Sequence, residues 1–150
     1  MDEIDVRKLR AEEREAVAAL WDGVFGYAEA RNDPALVLAT KLGWDERVLV
    51  AAQGSLLLGT AMVGYDGHRG WLYRVAVVSA ARRRGVGSLL VRAAEAELRA
   101  LGCAKVNLQL HVDNPDGQAF WRALGYQVEP RVSMGKDLGL RPTPAETARG

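Results

Sequence analysis

Three arginines, Arg82, Arg83 and Arg84, stand directly before Gly85-Val86-Gly87-Ser88, between an apolar run over 71–78 and an amphipathic stretch that closes at Gly102. If that stretch is a helix, its first N–H groups lack internal partners and its dipole leaves the end partly positive. Arginines placed there cost a few tenths to about 1 kcal/mol unless an anion is bound. Each charge-assisted hydrogen bond to a phosphate contributes on the order of 1.5–3 kcal/mol, which outweighs that repulsion. A glycine also lets a ligand reach the main chain without meeting a Cβ. The pattern therefore suits polyphosphate binding; a solvated charge run with glycines that only shape a turn is the alternative the residues leave open. Neither a three-glycine dinucleotide fingerprint nor a Gly-Lys-Ser/Thr loop is present.

Acid–base chemistry has few candidates. There are two histidines. His111 ends the alternating run "AKVNLQLHV" (104–112), whose polar face is Asn107, Gln109 and His111, with no carboxylate on it. His68 sits in the turn "YDGHRG" with Asp66 and Arg69, which suit a hairpin as well as a ligand. Tyr73 and Arg74, on the neighbouring apolar run, are candidate channel residues. Cys103 is alone, so no intramolecular disulfide forms, and it reads as a small apolar residue.

The elements that position these residues follow from spacing. "IDVRKL" (4–9) alternates like a strand, and 11–25 places Ala16, Leu20 and Val24 at helical spacing. Asn32 or Asp33 before Pro34 starts a second helix, with Leu36, Val37 and Leu42 inward and its end near Gly43. Residues 46–78 read as three antiparallel strands turning at Gln53-Gly54 and at "YDGHRG". Val86, Leu89, Leu90, Ala93, Ala94, Leu98 and Leu101 share one face of the helix after the arginines. A strand over 104–112 follows, then a short helix with Asn114 as N-cap and Pro115 at its first position. A last strand or two lies within 127–138, interrupted by Pro130. Trp44 and Trp71 read as core or rim aromatics. The order β-α-α-β-β-β-α-β-α-β describes one α/β layer domain over 1–138, and the tail 139–150 has little to bury and is expected to be disordered.

The stretches "VAVVSAARRRGVGSLLVRAAEAELRALG" and "DNPDGQAFWRALGY" resemble the GNAT superfamily of N-acetyltransferases. Its signature, Q/R-x-x-G-x-G/A between strand and helix, is met by Arg82, Gly85 and Gly87, and the element order over residues 3–138 fits. With "ATKL" and "YDGHRGWLYRVAV" the chain looks similar to the YpeA-like bacterial branch. The resemblance implies a mixed, mostly antiparallel sheet with helices on both faces, splayed between 71–78 and 104–112. It implies acetyl-CoA as co-substrate, its pyrophosphate held by Arg82, Arg83, Arg84, Gly85, Val86, Gly87 and Ser88. The pantetheine arm would lie along Val75, Ala76 and Val77, with the Val77 N–H on the thioester carbonyl and Asn114 on the pantetheine chain. Many members carry F-Y-x-x-x-G-[FY] in the short helix, where the tyrosine protonates the leaving thiolate. Here that position is Trp121, which donates a hydrogen bond but is no practical acid, and Tyr126 matches a packing position. His111 remains the base candidate. The resemblance implies an amine acceptor, attacking in its neutral form; at pH 7.4 only on the order of one lysine in a thousand is neutral, against roughly a fifth of α-amines. A site poor in carboxylates thus leans toward an α-amine, of a peptide or a small molecule.

The 20 basic and 19 acidic side chains of the 150 residues leave a net charge of +1, so no overall field draws the chain to nucleic acid or an anionic membrane. No metal-ligand spacing appears, and no apolar run reaches the roughly 18 residues of a membrane span. The expected protein is a cytoplasmic N-acetyltransferase with an amine acceptor and, by resemblance, a possible homodimer. A catalytically weak acyl-CoA-binding or sensory module is the alternative, and nucleic-acid binding by the arginines is a remote third.

Overall fold

The run Val48-Leu49-Val50-Ala51-Ala52 shows no polar alternation because both of its faces are covered. In the computed structural model, which describes residues 3–139, it forms the second of five strands. The strands are β1 (Ile4–Lys8), β2 (Val48–Gln53), β3 (Leu56–Tyr65), β4 (Gly70–Val77) and β5 (Val106–Asn107), in the spatial order β1-β2-β3-β4-β5. The first four are antiparallel neighbours, and β5 joins β4 in parallel. Helices α1 (Arg14–Phe25) and α2 (Pro34–Trp44) cover one face, packing Val17, Trp21 and Leu38 on Val48, Val50 and Ala76. Helix α3 (Val86–Ala100) covers the other, where Leu90, Val91, Ala94 and Leu98 meet Leu49, Leu58, Val63 and Leu72. The short helix α4 (Pro115–Ala123) adds Trp121 to that second core. Each such side chain contributes about 1.5–3 kcal/mol when fully buried.

This is the expected mixed α/β sheet with helices on both faces. Local chemistry fixes several joints. Arg7 grips the Glu13 carboxylate with two bonds of 2.8 and 2.9 Å, and Glu13 also accepts the Arg10 N–H at 2.8 Å, setting the turn from β1 into α1. Asp33 Oδ2 accepts the Leu36 N–H as the N-cap of α2, and Gly102, at φ 86°, ends the turn after α3. Both hairpins fall where the sequence puts them.

Several expectations need correction. The inward face of α1 carries Val17 and Trp21, while Ala16 and Val24 are exposed, because it is Val17 and Trp21 that pack with Leu38 on Val48, Val50 and Ala76. On α3, Val91 is buried, whereas Leu89 and Leu101 lie at the margin. The strand expected over 104–112 pairs only at Val106 and Asn107. Beyond them β4 turns away at its bulge, and Asn107 and Gln109 instead bond to Glu129 (2.8 Å) and Ser133 (2.6 Å). Leu110 and Val112, on the expected inner side, are exposed. Residues 127–139 form no strand: Pro130 lacks an N–H to give, and the segment is held by side chains, among them the Lys105–Glu129 ion pair. The tail expected to be disordered lies, apart from Gly139, outside the described residues.

Candidate active site

The segment between β4 and α3 is shaped by two positive φ angles. A 3-10 turn (Ser79–Ala81) leads to an extended Arg82, then Arg83 at φ 68° and Gly85 at φ 76°. Glycine adopts that conformation freely, whereas an arginine pays roughly 1–2 kcal/mol for it. Gly85 is the N-cap of α3 and offers no side-chain acceptor, so the N–H groups of Val86, Gly87 and Ser88 emerge without a cap while Leu89 N–H bonds back to Gly85 C=O at 3.1 Å. Arg82, Arg83 and Arg84 are all exposed beside them. Arg84 donates 3.0 Å to Gln53 Oε1, drawing its guanidinium toward the β2–β3 turn.

The two glycines differ in use. At Gly85 a Cβ would enter open space, so only the backbone angle demands glycine there. At Gly87 a Cβ would stand 3.0 Å from Phe120 Cζ and 3.1 Å from Cε1. Gly87 therefore lets α4 pack against the first turn of α3.

Val75, Ala76 and Val77 lie on β4 just before this turn. Val78 N–H donates to Leu58 C=O at 2.8 Å, and Gly59 pairs with Val77 in the next register position. Antiparallel alternation then turns the Val77 N–H away from β3, toward the side where β5 pairs only at Gly70 and Trp71. The strands thus part beside the residues singled out in the sequence. Asn114 caps α4, its Oδ1 accepting the Gly117 N–H at 2.9 Å.

The candidate acid–base groups stand in different settings. Trp121 is 7% exposed and packs edge to face against Phe120 and Tyr126, at centroid distances of 5.2 and 5.0 Å, which makes it part of the core. Tyr126 donates 2.8 Å to Glu95, and burial, followed by that bond, pushes its phenol far above the usual value. The His111 side chain is 77% exposed, with Nδ1 accepting the Asp113 N–H at 3.2 Å. His68 belongs to the hairpin, where Asp66 Oδ1 accepts the N–H groups of His68 and Arg69; these bonds, that of Arg69 first, hold the Asp66 carboxyl below the carboxylate range. Trp44 is almost wholly exposed, and Trp71 stacks with Tyr73 at 6.5 Å.

On the opposite sheet face, a mostly apolar cavity of about 300 Å³ is lined by Leu36, Val37, Thr40, Met62 and Tyr73, with Arg31 and Lys41 among its walls. Arg31 pairs with Glu29 and, at 2.7 Å, with Asp137, tying the 27–35 loop to the last described turn of chain. Next to Tyr73, the bulge on β4 sets Arg74 at φ 51°. Its guanidinium lies 5.1 Å from the Phe25 ring centre and 5.8 Å from that of Trp21. Its carbonyl accepts the Thr60 hydroxyl at 2.9 Å, and that hydroxyl accepts Trp21 Nε1–H at 2.8 Å. Burial lowers the Arg74 pKa from its ordinary value. Sequence reasoning singled out Tyr73 and Arg74 but missed Trp21, Thr60, Met62 and Phe120, which come from different elements and carry no local signal.

A model of the acetyltransferase (GNAT) family matches residues 6–126, most of the chain, from within β1 to just past α4. The chain belongs to the GNAT family. As a GNAT acetyltransferase it is an acyl-transferring enzyme, and solved structures share its fold. A transcriptional regulator from Bacillus halodurans C-125 is 25% identical at a TM-score of 0.70, covering 89% of this chain and 100% of its own. The aminoglycoside N-acetyltransferase AAC(6')-Iy, solved with CoA, is 18% identical at 0.76, covering 92% and 97%. The ribosomal-protein-S18-alanine N-acetyltransferase of Escherichia coli is 19% identical at 0.68, covering 82% and 77%. Among the described residues, no helix of this GNAT chain is long and apolar enough to cross a membrane.

Proposed function

We propose that this chain moves the acetyl group of acetyl-CoA to a primary amine, of a peptide N-terminus or a small molecule, by direct attack within a ternary complex. The observation that carries the reading is the uncapped start of α3 beside Arg82, Arg83 and Arg84, reached directly from a strand whose Val77 N–H faces the parting of β4 and β5. In this reading the N–H groups of Val86, Gly87 and Ser88 hold the pyrophosphate with the arginines, and Gly85 keeps the turn open. Val75, Ala76 and Val77 present main chain to the pantetheine arm, the Val77 N–H polarises the thioester carbonyl, and the Asn114 amide contacts the arm while capping α4. A developing oxyanion so placed gains more from a fixed N–H than the ground-state carbonyl does. His111 takes the amine proton through solvent, and Trp121 bounds the thiol end as a packed wall that donates at most a hydrogen bond. Solved proteins of the same fold that hold CoA or acetylate an amine support acetyl-CoA as the co-substrate and an amine as the acceptor class. The further particulars of the reading are a YpeA-like bacterial branch, a cytoplasmic location and assembly as a homodimer.

The test is calorimetry with CoA together with thiol release from acetyl-CoA across an amine panel. Wild type binds CoA and releases thiol in proportion to amine. Gly85→Val retains the fold and loses CoA affinity by at least about tenfold, or 1.4 kcal/mol. Indifference of the wild-type chain to CoA overturns the reading. Tight CoA binding without amine-dependent release replaces it with the sensory module.

A further inference from the structure

Of the partly buried arginines, Arg7 is paired with Glu13 and Arg47 with Asp45 and Glu97, and the more exposed Arg31 is paired with Asp137. Arg74 is the contrast. It is half-buried, yet among the described residues it forms no ion pair, and its cation meets only the rings of Trp21 and Phe25. Aromatic faces attract the charge but supply no lone pairs to the five N–H donors of a guanidinium. No Arg74 nitrogen is among the sealed, unpartnered side-chain atoms of the described residues, which belong to Arg7 and Arg47, so the fork stays open to a solute.

The position is also held firmly. The bulge gives Arg74 its left-handed angle, the Thr60 hydroxyl bonds its carbonyl, and Trp21 both bonds Thr60 and underlies the guanidinium. Strained backbone fixed by its surroundings is characteristic of ligand sites. Tyr73, its neighbour, forms a wall of the apolar cavity, and Val77 is three residues farther along the same strand, about 10 Å in extended chain. With the thioester at the Val77 N–H, as the transferase reading has it, a forked cation about 10 Å back along β4, on the far side from the start of α3, is placed for the acceptor and not the diphosphate.

Resting on the transferase reading above, we infer that Arg74 receives an oxyanion carried by the acceptor, so that the acceptor is an amine that also bears a carboxylate or a phosphate. The planar fork matches either group through paired hydrogen bonds. The cavity beside Tyr73 takes the apolar remainder of such a molecule.

Thiol release from acetyl-CoA is measured with two matched pairs, phenylalanine against phenethylamine and phosphoethanolamine against ethanolamine. Because the members of a pair differ in basicity, the readout is the anionic-to-neutral ratio of kcat/KM in wild type divided by the same ratio in Arg74→Gln. At least one pair gives a quotient of about ten or more, carried by KM, and which pair it is identifies the oxyanion. Arg74→Lys, which keeps the charge without the fork, falls between the two. Unchanged CoA affinity by calorimetry in both variants shows that the fold is intact. Quotients near one in both pairs overturn the inference while leaving the transferase reading in place. Absence of release with these four amines and across the wider amine and peptide panel, while CoA still binds, removes the transferase reading and this inference with it.

Discussion

The indole of Trp21 holds Arg74 at both ends: its ring lies 5.8 Å from the guanidinium, and its Nε1–H bonds the Thr60 hydroxyl that in turn bonds the Arg74 carbonyl. One residue of α1 thereby sets the backbone and the side chain of a residue on β4. Thr60, wholly buried, is the hinge of the arrangement.

Replacing Thr60 with valine keeps the shape and strands two buried partners, the Trp21 N–H and the Arg74 C=O. The expected loss is about 2–3 kcal/mol, more than the net value of one hydrogen bond, because each orphaned group keeps its desolvation cost. Trp21→Phe should cost less in hydrogen bonding but adds a packing loss. In denaturant titrations the double variant should be less destabilised than the sum of the singles by about 1 kcal/mol. Strict additivity would show that the two groups do not interact as described.

Gly87→Ala sets two effects against each other. Alanine gains up to about 1 kcal/mol in helix propensity, while a Cβ 3.0 Å from Phe120 must push the ring aside, at about 1–3 kcal/mol for an overpacked site. In the first turn of a helix the propensity gain is small, so net destabilisation of about 1 kcal/mol is expected. Adding Phe120→Leu should recover part of it. A stabilised Gly87→Ala variant would refute the packing role of this glycine.

The Arg7–Glu13 pair gives a pH dependence. The bonds from Arg7, foremost, hold the Glu13 carboxyl below its ordinary value of 4.5. A group so lowered stabilises the fold fully above about pH 4.5, and the contribution disappears as pH falls through the folded-state value. Glu13→Gln should therefore cost about 1 kcal/mol at pH 7, the order of a hydrogen-bonded ion pair partly open to solvent. The gap between variant and wild type, followed by thermal unfolding, should close toward pH 3. A gap that persists at low pH would assign the effect to packing.

Much of the molecule was legible because it depends on neighbours in the chain. Asp33 and Asn114 announce helix starts by a short polar side chain before proline, and both cap as read. The hairpin at "YDGHRG" closes through Asp66, three residues from Arg69. The strand over 104–112 was misjudged for the opposite reason. Its alternation is present, but a ladder needs a partner, and β4 leaves it after Trp71. Trp121 illustrates the same divide: its place in the motif was plain, while its burial between Phe120 and Tyr126 depends on how α4 settles on α3.

The sequence by itself determined the arginine–glycine turn, the helix that follows it, the antiparallel meander and the family to which the chain belongs, since these rest on residue type and spacing within a single segment. Only the tertiary structure decided the outward aim of the Val77 N–H, the different duties of Gly85 and Gly87, and the aromatic setting of the Arg74 guanidinium. Those properties come from register, bulges and close approaches between residues far apart in the chain, where a shift of one position reverses which side of a strand a group faces.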